Sequence, residues 1–229
     1  MLQVAVLAAN GKVGRLLVKE ALLQGASVCA FVRGAFDMKW LEKCLQSEST
    51  QNGDVKRLLE NLAVVKKDIF ALDSSDLAHF DVVFDAFGEW QNLKLHTEHI
   101  THLAQILQGS KAVLFIVGGA GSLYVDSHTQ LVNTPSFPEE YKPVANAQAA
   151  VLEYLKDTQA LKWCFVSPAA EFVPDLPKGA NVQISYELFQ TNKQGKSIIG
   201  YGDYAYKLCQ IALDSASNYG RKHIGLYAE

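Results

Sequence analysis

Short, almost wholly apolar runs recur along the chain at Leu2–Leu7, Ser27–Val32, Leu62–Val65, Val82–Ala86, Ala112–Val117 and Lys162–Val166. A strand with one solvated face alternates apolar and polar residues, whereas a parallel strand covered by helices on both faces loses that alternation. Segments with apolar residues at helical spacing fall between or after the runs: Arg15–Gln24, Met38–Leu45, Val55–Glu60, Leu95–Leu107, Val144–Lys156 and Tyr204–Ser215. The first of these stops at Gly25, a residue suited to the left-handed position that ends a helix. The rhythm predicts an α/β fold with a doubly wound, mostly parallel sheet of the Rossmann type. Residues 171–195 break it with Pro174, Pro177, Gly179 and a strand-like Val182–Phe189, and are read as a substrate-side excursion. With no repeat or long linker in view, residues 1–229 are expected to form a single dinucleotide-binding domain whose C-terminal part caps the sheet.

The net charge of −3 offers no basic footprint for nucleic acid and no polybasic stretch for anionic lipid, which leaves small molecules as the expected partners. The opening Met-Leu-Gln-Val-Ala-Val-Leu has no charged start, and its apolar run breaks at Asn10-Gly11. It is too short for a signal sequence or a membrane span, so a cytoplasmic protein is expected. Cys29, Cys44, Cys164 and Cys209 lie far apart with no Cys-x-x-Cys pair and read as free thiols.

Directly after the first run comes Ala8-Ala9-Asn10-Gly11-Lys12-Val13-Gly14, and then the first helix. The spacing is that of Gly-x-x-Gly-x-x-Gly with Ala8 in the first glycine's place. At a strand-to-helix junction, glycines let the backbone approach a pyrophosphate while the helix start supplies N–H groups and a positive dipole end. Asn10, Gly11, Lys12 and Val13 are the candidate contacts. About 20 residues on, where an acidic residue would bond the 2′-hydroxyl of NAD, stands Arg33. A guanidinium suits a 2′-phosphate, so NADP(H) is favoured over NAD(H); the bland alternative is a solvated surface arginine. At later strand ends, Asp68 and Ile69 are placed at the adenine, with a helix cap or turn as the other role open to Asp68. Ala86, Phe87 and Gly88 are placed at the ribose.

Lys67-Asp68-Ile69-Phe70, Val82-Val83-Phe84-Asp85-Ala86-Phe87-Gly88, Val117-Gly118-Gly119-Ala120-Gly121-Ser122-Leu123, Val166-Ser167-Pro168-Ala169, Gly195-Lys196-Ser197-Ile198 and Asp203-Tyr204-Ala205 extend the pattern over nearly the whole chain. In these segments the protein resembles the atypical and extended short-chain dehydrogenase/reductases. Within them it resembles the bacterial NADH-flavin reductase group, related to nitrogen-metabolite-repression regulators. The resemblance implies a Rossmann-type sheet, a nicotinamide cofactor, and a pocket closed by the C-terminal part. Gly118, Gly119 and Pro168 are then expected on the cofactor's side of the fifth and sixth strands.

The Tyr-x-x-x-Lys dyad usual in short-chain dehydrogenases is missing, since Tyr141 is followed four residues later by Ala145. Ser122 and Tyr141 are the candidate catalytic residues, against a structural loop for the first and a surface position for the second. His128 is weighed in the same way. His96, His99 and His102 share one predicted helix, but without His-Glu-x-x-His or a converging ligand set they read as a solvated or substrate-edge helix and no metal site is expected. The expected function is an NAD(P)H-dependent oxidoreductase that reduces a flavin, quinone or similar small acceptor, a reaction that asks mainly for positioning. The alternatives are a non-catalytic NADP(H)-binding redox sensor and, further off, a sugar epimerase or dehydratase.

Overall fold

A computed structural model describes residues 1–48 and 54–229. The first half runs β1 (Gln3–Leu7), α1 (Gly14–Leu23), β2 (Ser27–Val32), α2 (Met38–Glu48), α3 (Asp54–Glu60), β3 (Leu62–Lys66), the short α4 (Ser74–Leu77) and β4 (Val82–Asp85). The second half continues through α5 (Leu95–Ile106), β5 (Val113–Val117), α6 (Lys142–Asp157), β6 (Trp163–Pro168), β7 (Glu171–Val173), β8 (Val182–Tyr186), β9 (Ile198–Gly200), α7 (Tyr201–Ser215) and β10 (Lys222–Ala228). All the runs expected to be strands are strands, and each expected helix forms with its ends moved by at most three residues.

Eight strands make the main sheet in the order β3-β2-β1-β4-β5-β6-β10-β8; every pairing is parallel except that of β8 with β10. Alternate residues of a strand serve opposite faces, and both faces here are apolar. Val4, Val6 and Phe84 pack with Leu17, Leu41 and Leu208 on one side. Ala5, Leu7 and Val83 pack with Leu77, Ile100 and Leu152 on the other. This two-sided burial is the physical origin of the near-continuous apolar runs.

The C-terminal part does not cap the sheet as expected; it enters it. β10 inserts between β6 and β8, with Gly225 against Ser167 on one side and Ser185 on the other. Its sequence, Lys-His-Ile-Gly-Leu-Tyr-Ala, opens on a charge and is interrupted by glycine, so it lacks the apolar signature of the earlier strands. Within residues 171–195, β7 pairs with β9 in a small second sheet and β8 becomes the edge of the large one. Lys178 fastens this segment to the helical layer, its ammonium 2.8 Å from the buried Glu20 carboxylate on α1. No helix among the described residues is long and apolar enough to cross a membrane.

Candidate functional site

The strand order reverses between β1 and β4, which point in the same direction but send their connections to opposite sides. Such a reversal opens a crevice beyond the carboxyl ends of the two strands. Here it is a cleft of about 580 Å³. Its walls carry Ala8, Asn10 and Gly11 after β1, Arg33 and Gly34 after β2, and Lys67 to Phe70 after β3. Ala86, Phe87, Gly88 and Glu89 after β4 complete it, with Leu95 at the start of α5.

The turn after β1 folds tightly because the Gly11 N–H donates to the Ala8 carbonyl at 2.9 Å. A Cβ on Gly11 would stand 3.2 Å from that carbonyl, and one on Gly14 only 2.5 Å from it and 3.0 Å from Ala9 Cα. Both contacts are to backbone; Gly14 has no room for a side chain, and Gly11 would have to push the Ala8 carbonyl back by a few tenths of an ångström. Ala8 itself has φ +52°, the left-handed conformation that a glycine adopts at no steric penalty and alanine at about 1–2 kcal/mol. The missing first glycine thus left the geometry in place and changed only its energy. Asn10 ties the turn to the next loop by donating from Nδ2 to Ala35 O at 2.8 Å. Lys12 is exposed and Val13 opens α1; neither side chain lines the cleft.

Arg33 is exposed on the cleft wall and has no hydrogen bond or carboxylate partner among the described residues. Lys67, also on the wall, is engaged with Asp76 at 2.6 Å. Asp68 takes the capping role held open for it: its Oδ1 accepts the Phe70 N–H at 2.9 Å and starts the 3-10 turn Ile69–Ala71, while the residue still lines the cleft.

Below the cleft, His96 and His99 are each 2% exposed, which corrects the reading of their helix as solvated. The segment Ala112–Val117 and the helix of histidines were legible, but which face the ring nitrogens served was not, because helical spacing gives a face and not its neighbour. His99 Nε2 lies 2.8 Å from the buried Asp85 carboxylate and His96 Nε2 lies 2.8 Å from Glu89 O. Burial alone lowers the pKa of both imidazoles. For His96 it prevails, whereas for His99 the Asp85 charge and hydrogen bonds outweigh it and raise the pKa above the ordinary value. Asp85 was missed as a site residue; its signal was a carboxylate closing an otherwise apolar strand. No group of three or more potential metal ligands converges among the described residues.

The residues expected around β5 and β6 do not join this cleft. Gly118 is closed over by Phe165, whose ring would stand 2.2 Å from an added Cβ, and Gly119 by Gln148, 1.9 Å from one. Pro168 is buried at the end of β6. Ser122 is 0% exposed with its hydroxyl unpaired among the described residues, so the buried structural loop is its setting. Tyr141 is 49% exposed and packs edge-on against Trp90 at 6.5 Å, and His128 is on the surface.

A sheet reversed at β1/β4, a glycine turn feeding a helix, and an open cleft across the four strand ends define a dinucleotide-binding Rossmann protein. A profile of the NAD(P)H-binding family matches residues 8–193, and the chain belongs to that family, in its atypical short-chain dehydrogenase/reductase-like form. The uncharacterized protein YwnB of Bacillus subtilis is 36% identical over 208 residues, 89% of either chain. Among solved structures, a "putative NADH-flavin reductase" of Streptococcus pneumoniae is 38% identical with a TM-score of 0.85 over the whole of both chains. A "putative epimerase" of Bacteroides thetaiotaomicron is 25% identical with a TM-score of 0.78, covering 100% of this chain and 98% of that one. The cofactor class is a nicotinamide dinucleotide, and the turn fits its pyrophosphate, since Gly11 lines the cleft without a side chain and Gly14 lets the start of α1 close against the Ala8 backbone.

Proposed function

We propose that this protein is an NADPH-dependent reductase that delivers a hydride to a small planar acceptor of the flavin or quinone class. The observation that carries the reading is Arg33: an exposed guanidinium, unpaired among the described residues, at the β2 end where the adenine ribose of a dinucleotide lies. Such a group supports a 2′-phosphate and gives a 2′-hydroxyl no acceptor.

In this reading Asn10, Gly11, Lys12 and Val13 hold the pyrophosphate at the start of α1, Arg33 clamps the 2′-phosphate, and Asp68 and Ile69 edge the adenine. Ala86, Phe87 and Gly88 support the ribose. When bound, the reduced cofactor supplies two electrons and one hydrogen as hydride. The chain's own part is positioning, and the one proton that completes the reduced acceptor comes from water, which a flavin or quinone permits. This fits the absence of the Tyr-x-x-x-Lys dyad and the burial of Ser122, which offers no exposed acid.

The test is the loss of NADPH absorbance with FMN, FAD and quinones. Turnover with at least one of them, faster with NADPH than NADH, is expected. Tight NADPH binding with no turnover of any acceptor would overturn the reductase and turn the reading to a redox sensor.

A further inference from the structure

The loop that forms the β4 side of the cleft is suspended from three side chains beneath it. Asp85 Oδ1 accepts the Phe87 N–H at 3.1 Å, and its Oδ2 faces His99 Nε2 at 2.8 Å. The His99 ring stacks on the Phe87 ring, 4.2 Å between centroids at 30°. One turn earlier on α5, His96 holds Glu89 O and sets its ring edge against Phe87 at 5.7 Å. Glu89 in turn accepts the N–H groups of Trp90, Gln91 and Asn92 on one carboxylate oxygen. Phe87, Gly88 and Glu89 all line the cleft.

The hydrogen bonds fix how many protons this arrangement holds. His99 Nδ1 faces Leu95 O at 3.0 Å, and a carbonyl only accepts, so Nδ1 bears a hydrogen. Nε2 faces a carboxylate whose other oxygen already accepts an N–H. A proton between Nε2 and Oδ2 makes that contact a buried ion pair; without it two lone pairs meet at 2.8 Å in the core, which buried polar groups do not tolerate. Asp85 on β4 and His96 on α5 are the titratable groups that act on His99. Among the described residues, α6 and the Ile69–Ala71 turn, which also pack on α5, add no hydrogen bond or ion pair to it.

We propose that Asp85 and His99 are positioning residues for the dinucleotide: their shared proton latches the Phe87–Glu89 wall in its receiving geometry, so that losing the proton releases the ring stacked on His99 and weakens cofactor binding. The inference rests on dinucleotide binding in this cleft and is independent of any acceptor.

The experiment titrates the histidine signals of the isotope-labelled full chain by NMR, with His99→Gln for assignment, in the absence and presence of NADPH. Above pH 7 a 2′-phosphate is already ionised and does not interfere. Because linkage is reciprocal, NADPH is expected to raise the His99 midpoint by about half a pH unit, matching a roughly threefold weakening of NADPH binding as the free protein loses the proton. His99→Gln, which keeps an N–H donor and cannot titrate, is expected to bind NADPH at least threefold more weakly and to lose the wild type's pH response. A His99 midpoint that NADPH leaves unmoved would overturn the proposal, as would a folded His99→Gln protein with wild-type affinity and pH response. If the variant fails to fold, Asp85→Asn provides the assignment and the wild-type titration alone decides.

Discussion

The two halves of the sheet carry buried histidines poised in opposite ways. Under the cleft, His99 has a raised pKa because a carboxylate stands against it. Between β6 and β10, His223 faces only the Ser167 hydroxyl at 2.9 Å, with its Nδ1 unpaired among the described residues, and burial with the Lys156 charge lowers its pKa to about 3. The first half keeps a charge inside and leaves a cleft open above it. The second gives its buried histidine no carboxylate, and packs Phe165 over Gly118 and Gln148 over Gly119. The difference teaches that the β4 wall of the cleft is held by charge tied to specific backbone atoms, while the loop after β5 is held by packing.

Acid should separate the halves most strongly. His223 is neutral in the fold with a depressed pKa, so its contribution is present above about pH 6.5 and is lost as pH falls towards about 3, at up to about 1.4 kcal/mol per pH unit. His99 works the other way: its raised pKa stabilises below 6.5 and is lost as pH rises through the folded value. Chemical denaturation of His223→Gln between pH 4 and 7 should show a shallower acid loss than wild type; an unchanged slope would remove His223 from the comparison.

Gly14→Ala should cost about 1–3 kcal/mol, because its Cβ would stand 2.5 Å from a backbone oxygen that cannot move away alone, and dinucleotide affinity should fall with it. Thermal melts with and without NADPH read both effects. Arg33→Glu should weaken NADPH by more than about 1.5 kcal/mol, the scale of a charged hydrogen bond, and spare NADH. Equal loss for both cofactors in titration calorimetry would refute the clamp. The smallest effect belongs to Ser122→Ala: removing a buried hydroxyl without a partner should leave stability unchanged or raise it by about 1 kcal/mol, with turnover retained. Loss of turnover in a protein of wild-type stability would return Ser122 to the chemistry.

The strands and helices of the first half, the turn at Gly11 and the position of Arg33 were legible in the sequence because each depends on local geometry: strand and helix periods, the absence of a Cβ, and the distance from one strand end to the next. What the sequence could not rank was the set of residues beyond β4. Ser122 and Tyr141 belong to residue types with catalytic uses, yet one is buried and the other lies out against Trp90. His99 read as one of three histidines on a solvated or substrate-edge helix, and its meaning came from Asp85, 14 positions earlier and on another element.

By itself, then, the sequence determined a parallel sheet wound on both faces and a tight glycine turn at its start, since burial on both sides and tight turning are written in residue type and spacing. Only the tertiary structure decided that β10 enters the sheet, that Gly118 and Gly119 are covered, and that His99 meets Asp85 beneath the cleft. Each of these depends on which groups distant in the chain come within a few ångströms of one another, and burial then changes the strength of every charge and the penalty for every unpaired polar atom.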